Sequence, residues 1–176
     1  MKIQPARTTD IPFITELTIE NWKQTYASLI SGDFLDHLSA EAMTNEWRQY
    51  TAEKNHLLFV ARDDQTFLGF TAGRPDEEIP DCFYLESLHV TASARGRGIG
   101  TKLLKTLAAE AAQCGYRKMS ICIIKGNDSA RNLYRKSGAE HYKDFQDDFH
   151  GTTTDSEKLI WNEIPLPHAS DRRRPG

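Results

Sequence analysis

Arg95-Gly96-Arg97-Gly98-Ile99-Gly100 is the stretch on which this 176-residue sequence turns. Before it runs Cys82-Phe83-Tyr84-Leu85-Glu86-Ser87-Leu88-His89-Val90, an apolar, partly alternating segment that predicts a strand. After it, Leu103, Leu104, Leu107, Ala108 and Ala111 recur at helical spacing within Thr101 to Cys114. The glycines therefore occupy a strand-to-helix turn and run into the first turn of the helix. A helix start leaves backbone N–H groups without partners and carries partial positive charge. Acidic side chains usually answer it, but here Arg95, Arg97 and Lys102 stand in their place. Positive charge at that end is unfavourable unless an anion binds there, and glycine lets the backbone approach the anion closely. The stretch reads as a phosphate or pyrophosphate cradle in preference to a surface turn with solvated arginines.

Two common phosphate motifs do not fit. A P-loop needs Gly-Lys-Ser/Thr after its last glycine, whereas Gly100 is followed by Thr101-Lys102. A dinucleotide fingerprint needs GxGxxG and a later acidic residue at a strand end, and the spacing here is GxGxG. The loop resembles instead the acyl-CoA loop of the GNAT superfamily of N-acetyltransferases, Arg/Gln-x-x-Gly-x-Gly/Ala, matched at Arg95, Gly98 and Gly100. A second pattern of that family, Asn-x-x-Ala-x-x-x-Tyr-x-x-x-Gly-Phe, is matched at Asn127, Ala130, Tyr134 and Gly138, with Ala139 where Phe is usual. The two occur in the family's order and spacing.

Around these motifs the chain reads as one domain over residues 1–165 with a loose polar tail over 166–176. A net charge of −3 gives no electrostatic case for nucleic acid. The three cysteines, Cys82, Cys114 and Cys122, lack paired spacing, which argues for reduced thiols in a cytoplasmic protein and against a metal site. No apolar run reaches membrane-spanning length, and the N-terminus lacks a signal-peptide apolar region.

Lys2 to Ala6 predicts an edge strand. Thr9 or Asp10 caps a helix carrying Phe13, Ile14, Leu17, Trp22 and Tyr26, and a second helix follows Ser39 to about Tyr50. Leu57 to Ala61 and Phe67 to Gly73 predict a hairpin. Arg74 to Asp81 is an acidic loop, read either as solvated or as a means of concentrating a cationic amine. Arg117 to Ile124 predicts a strand covered on both faces. Ala139 to Phe145 and Ser156 to Glu163 predict the last two strands, with Asp147 to Asp155 a polar loop between them. The expected fold is α/β: a mixed, mostly antiparallel sheet of six or seven strands with helices on both faces.

The resemblance implies acetyl transfer from acetyl-CoA to a primary amine, by direct attack in a ternary complex. The pyrophosphate is expected on backbone groups of Arg95, Gly96, Arg97, Gly98, Ile99, Gly100 and Thr101. The strands ending at Val90 and Ile124 are expected to splay, with the pantetheine arm beside Leu88, His89 and Val90. Tyr134 is the expected proton donor, since a neutral phenol keeps its proton at pH 7. Glu86 is the expected base and amine contact, placed by strand alternation on the face of Leu88, with His89 a rival on the other face. Asn127 is expected to fix its loop or touch the pantetheine, and Trp22 and Tyr26 to contact the acceptor. No metal is expected. A small-molecule amine is the first acceptor reading; a protein lysine or N-terminus, or a non-catalytic acyl-CoA sensor, are the others. Homodimerisation is common in the family.

Overall fold

The computed structural model describes residues 1–149 and 151–167. Seven strands form one sheet: β1 (Lys2–Pro5), β2 (Leu57–Asp63), β3 (Thr66–Pro75), β4 (Cys82–Val90), β5 (Lys118–Ile124), β6 (Glu140–Phe149) and β7 (Thr152–Trp161). The strand order is β1-β2-β3-β4-β5-β7-β6, and only the β4–β5 pair is parallel. Five α-helices, α1 (Ile11–Thr25), α2 (Gly32–Asp36), α3 (Ala40–Ala52), α4 (Ile99–Gln113) and α5 (Asp128–Lys136), and two 3-10 turns, Thr8–Asp10 and Ala92–Ala94, complete the regular elements of the described chain. The expected mixed, mostly antiparallel α/β sheet is therefore what the chain forms.

The period-2 alternation of β2 shows how the layers assemble. Leu58 and Val60 pack with Phe70, Ile14, Leu17, Met43 and Trp47 under α1 and α3. Phe59 packs on the opposite face with Leu104, Leu107 and Ala108 of α4. Ala61 meets Ile99 and Leu103 on that same face. Helix α5 joins the α4 side through Tyr134, which lies in one cluster with Leu159 and Trp161.

Two sequence expectations change. Asp147 to Asp155 is not a polar loop: β6 and β7 remain paired from Glu140↔Ile160 out to Phe149↔Thr152. β6 is an edge strand with mostly exposed residues, so its polar sequence imitates a loop. The short helix α2 was not anticipated. Of the expected tail, residues 168–176 lie outside the described residues.

The third change bears on function. β3 pairs with β4 at Ala72↔Ser87 and then at Gly73↔Leu85, so Glu86 is an extra residue in a β-bulge. A one-residue offset moves every later side chain to the other face. Leu88 packs with Ala61, Ile99 and Leu103 on the α4 side. His89 lies against Phe70, ring centres 5.2 Å apart and tilted, on the α1 and α3 side. Simple alternation placed Glu86 with Leu88 and His89 opposite them; His89 is indeed opposite Leu88, but the bulge moves Glu86 away from the Leu88 face.

Candidate active site

β4 and β5 are in register only over Cys82↔Lys118, Phe83↔Met119 and Tyr84↔Ser120. Beyond these pairs the strands part, and Glu86 to Val90 face Ile121 to Ile124 across a cleft of about 1180 Å³. The splay expected for this strand pair is present. The cleft is also lined by Trp22, Tyr26, Arg95, Gly96, Gly98, Ile99, Gly100, Thr101, Asn127 and Tyr134. Thus one cavity gathers every candidate residue except Arg97.

At one end lies the glycine loop. Gly98 is the N-cap of α4 in the left-handed region (φ 74°), no side chain caps the helix, and no acidic residue lies in its first turn. Gly96 has φ 73°, and a Cβ at Gly96 or Gly98 would meet nothing within 4 Å. Glycines required by their backbone angle rather than by crowding, at a helix start that no side chain caps, suit a bound anion. Arg95 reaches back to α1, donating to Asn21 Oδ1 at 2.8 Å.

Asn21 was not singled out from sequence, although a polar residue in the buried stripe of Ile14, Leu17 and Thr18 is a usable signal. Its amide orientation follows from chemistry. Arginine only donates, so Oδ1 must face Arg95 and Nδ2 must face His89 Nδ1, 3.2 Å away. Nδ1 therefore accepts and the neutral imidazole carries its proton on Nε2. Burial, helped by the Arg95 charge, pushes His89 down to about 4. His89 is thus a donor within the cleft at neutral pH, not a proton acceptor.

Tyr134 sits on α5, whose start is fixed by Asn127 Oδ1 accepting from the Ala130 N–H at 3.4 Å. Arg131 anchors the helix to β7 through Glu157 at 2.8 Å. The Tyr134 ring meets Trp161 edge-on at 5.7 Å. Burial, with a smaller contribution from Tyr26, raises the phenol well above its ordinary value, so it stays protonated.

Glu86 accepts from Arg74 Nε at 2.9 Å, and the same guanidinium lies 4.9 Å from the centre of the Tyr84 ring. The Tyr50 hydroxyl is buried without a hydrogen-bond partner, and the Glu86 charge raises its pKa beyond what burial alone does. Over this end Phe149 of the β6–β7 hairpin packs on Trp22 (5.2 Å), Tyr26 (5.8 Å) and Phe34 (5.8 Å).

The acidic loop before β4 does not line the cleft. Lys158 Nζ meets Asp76 at 2.8 Å and Glu78 at 2.9 Å, Lys143 also pairs with Glu78, and Ser120 bonds to Asp76. Burial opposes ionisation of Asp76, but the hydrogen bonds from Lys158 and Ser120 outweigh it and keep the carboxyl below its ordinary value. These carboxylates clamp the loop to β5 and β7.

Comparison with known proteins decides the family. The acetyltransferase (GNAT) family model matches residues 18–139. The chain belongs to this family. The GNAT chain is 24% identical to the uncharacterized N-acetyltransferase YuaI of Bacillus subtilis over 130 residues, 72% of this chain and 73% of YuaI. It is 39% identical to the thialysine N-epsilon-acetyltransferase of Mus musculus over 57 residues, only 32% of this chain and 34% of that relative. The fold matches the PaiA N-acetyltransferase of Thermoplasma acidophilum, solved in complex with coenzyme A, with a TM-score of 0.69 at 22% identity, covering 89% and 96% of the two chains. As a GNAT enzyme the protein is an N-acetyltransferase with acetyl-CoA as donor. The glycine cradle beside Arg95, and the parting of β4 from β5 beyond Tyr84↔Ser120, fit that donor. No helix among the described residues is long and apolar enough to cross a membrane.

Proposed function

We propose that the chain transfers the acetyl group directly to a primary amine of a small molecule, with donor and acceptor bound together. The observation that carries the small-molecule reading is Phe149, packed on Trp22, Tyr26 and Phe34, which roofs the acceptor end of the cleft. A peptide acceptor calls for an open groove there.

The backbone of Gly96 to Thr101, with Arg95, takes the pyrophosphate. The unpaired edge of β4 around Leu88 takes the pantetheine and polarises the thioester carbonyl. The amine nitrogen attacks the carbonyl carbon; the C–N bond forms, the C–S bond breaks, and the thiolate leaves. Tyr134 supplies its phenol proton to the sulfur. An alkyl ammonium, with pKa of about 10.4, must first lose a proton, and Glu86 is the acceptor for it, directly or through water. The ion pair with Arg74 fixes the Glu86 carboxylate in place and keeps a negative charge beside the incoming ammonium. Direct transfer is supported by the absence of any cleft thiol with nucleophile character: burial raises the pKa of Cys122, the cysteine that lines the cleft.

The test is thiol release from acetyl-CoA against a panel of small amines and lysine peptides, with wild type and Tyr134→Phe. Turnover on small amines, with kcat about 10²-fold or more lower in the variant, is expected. Turnover confined to peptides would refute the acceptor reading, and an unaltered kcat would remove Tyr134 from the mechanism.

A further inference from the structure

The charge lining the cleft is lopsided. Among the described lining residues there are four carboxylates, Glu46, Glu86, Asp128 and Asp147, and one cation, Arg95. Arg95 stands at the donor end, bonded to Asn21. Asp128 opens α5 and lies in the field of Arg131. Of the other three, Glu86 lies on β4, Glu46 one turn before Tyr50 on α3, and Asp147 two residues before Phe149 on β6. They come from α3, β4 and β6, so the fold rather than local sequence brings them to one cavity. Glu86 has Arg74 beside it. Neither Glu46 nor Asp147 has a cationic partner among the described residues.

From this we infer that the acceptor is a linear di- or polyamine: one nitrogen is acetylated beside Glu86, and a second ammonium is bound by Glu46 or Asp147. The inference rests on the acetyl-transfer reading above and narrows it. An acceptor carrying a carboxylate would meet like charges, and among the described lining residues the one cation, Arg95, stands at the donor end, which is a means of exclusion. A monoamine would leave the remaining carboxylates unanswered. A second observation points the same way. Tyr50, one helical turn from Glu46, lines the cleft, and its hydroxyl is enclosed without a partner. An ammonium group offers three donors, one of which this oxygen can accept.

Three acceptors with one carbon framework separate the possibilities. 1,5-Diaminopentane, 1-aminopentane and lysine differ by one ammonium and one carboxylate. They would be compared by thiol release with the full chain and acetyl-CoA. The diamine is expected to exceed both others in kcat/KM by about tenfold or more, the lower end of what one charge-assisted hydrogen bond supplies. Glu46→Gln and Asp147→Asn should narrow the diamine-to-monoamine ratio, and added salt should lower the diamine rate more than the monoamine rate. Lysine or the monoamine turning over as well as the diamine overturns the inference and leaves acetyl transfer standing. No turnover of any of the three, in protein whose melting temperature acetyl-CoA raises, overturns the diamine assignment. Absence of that acetyl-CoA shift instead removes the acetyl-transfer reading beneath it.

Discussion

Asn21→Asp is an almost isosteric change that reverses the polarity of one hydrogen bond. In the wild type, Arg95 donates to Oδ1 at 2.8 Å and Nδ2 donates to His89 Nδ1 at 3.2 Å. A carboxylate satisfies Arg95 as well as the amide did, but presents a second acceptor to an acceptor nitrogen. The clash is relieved when Nδ1 takes a proton. The expected result is a switch of the neutral tautomer from Nε2–H to Nδ1–H. The pKa should also climb from about 4, because an opposite charge at this range raises a histidine by roughly 1–3 units, or about 1.4–4 kcal/mol. The assay is a pH titration of the ring nitrogens by long-range ¹⁵N–¹H correlation, in which the two tautomers give opposite shift patterns. A wild-type His89 protonated on Nδ1 would refute the amide assignment. A variant that still titrates near 4 would refute the claimed contact.

The same imidazole sets a pH dependence of stability. Its folded value, about 4, lies below the ordinary 6.5, so the unfolded chain binds more protons between those values. Stability is then full above pH 6.5 and falls toward pH 4 by up to about 3 kcal/mol. The depressed carboxylates Asp76, Glu78 and Glu157 begin to withdraw support as pH falls toward their ordinary values, so urea midpoints at pH 7 and about 5.5 read chiefly the histidine. Gly98→Ala places a side chain at φ 74°, which costs about 1–2 kcal/mol. Its Cβ would also project into the open cradle, so the acetyl-CoA KM should rise with little change in kcat. Asp76→Ala leaves Lys158, 6% exposed, with Glu78 as its carboxylate partner; a loss of about 1.5–3 kcal/mol, that of a charge-assisted hydrogen bond, is expected from the urea midpoint. Asp76→Asn should cost less, because it still accepts from the Glu78 and Ile79 N–H groups.

Much of this was legible because local and global signals agree. The glycine loop, the leucine stripe of α4 and the Asn127–Gly138 segment each combine a cap, a period and a terminator. β4 was read with the ends it has, Cys82 and Val90. The bulge at Glu86 was not legible, because it has no composition of its own: the residue that loops out is known only once Ala72 and Gly73 have chosen their partners across the ladder. The outer hairpin escaped because an edge strand with one wet face has a loop's composition. The Asn21–His89–Arg95 chain joins residues 74 and 68 positions apart, which periodicity cannot connect.

The parting of β4 from β5 has a consequence for how such an enzyme diversifies. On the proposed reading the donor is recognised along main-chain edges, whose hydrogen bonds are the same whatever residue supplies them. The side chains of those very positions then escape the constraint of donor binding. After the bulge, Glu86 and His89 turn toward α1 and α3 while Leu88 turns toward α4. One strand thus performs an invariant task with its peptide groups and a negotiable one with its side chains. Acceptor preference can drift residue by residue here without the loss of the common thioester.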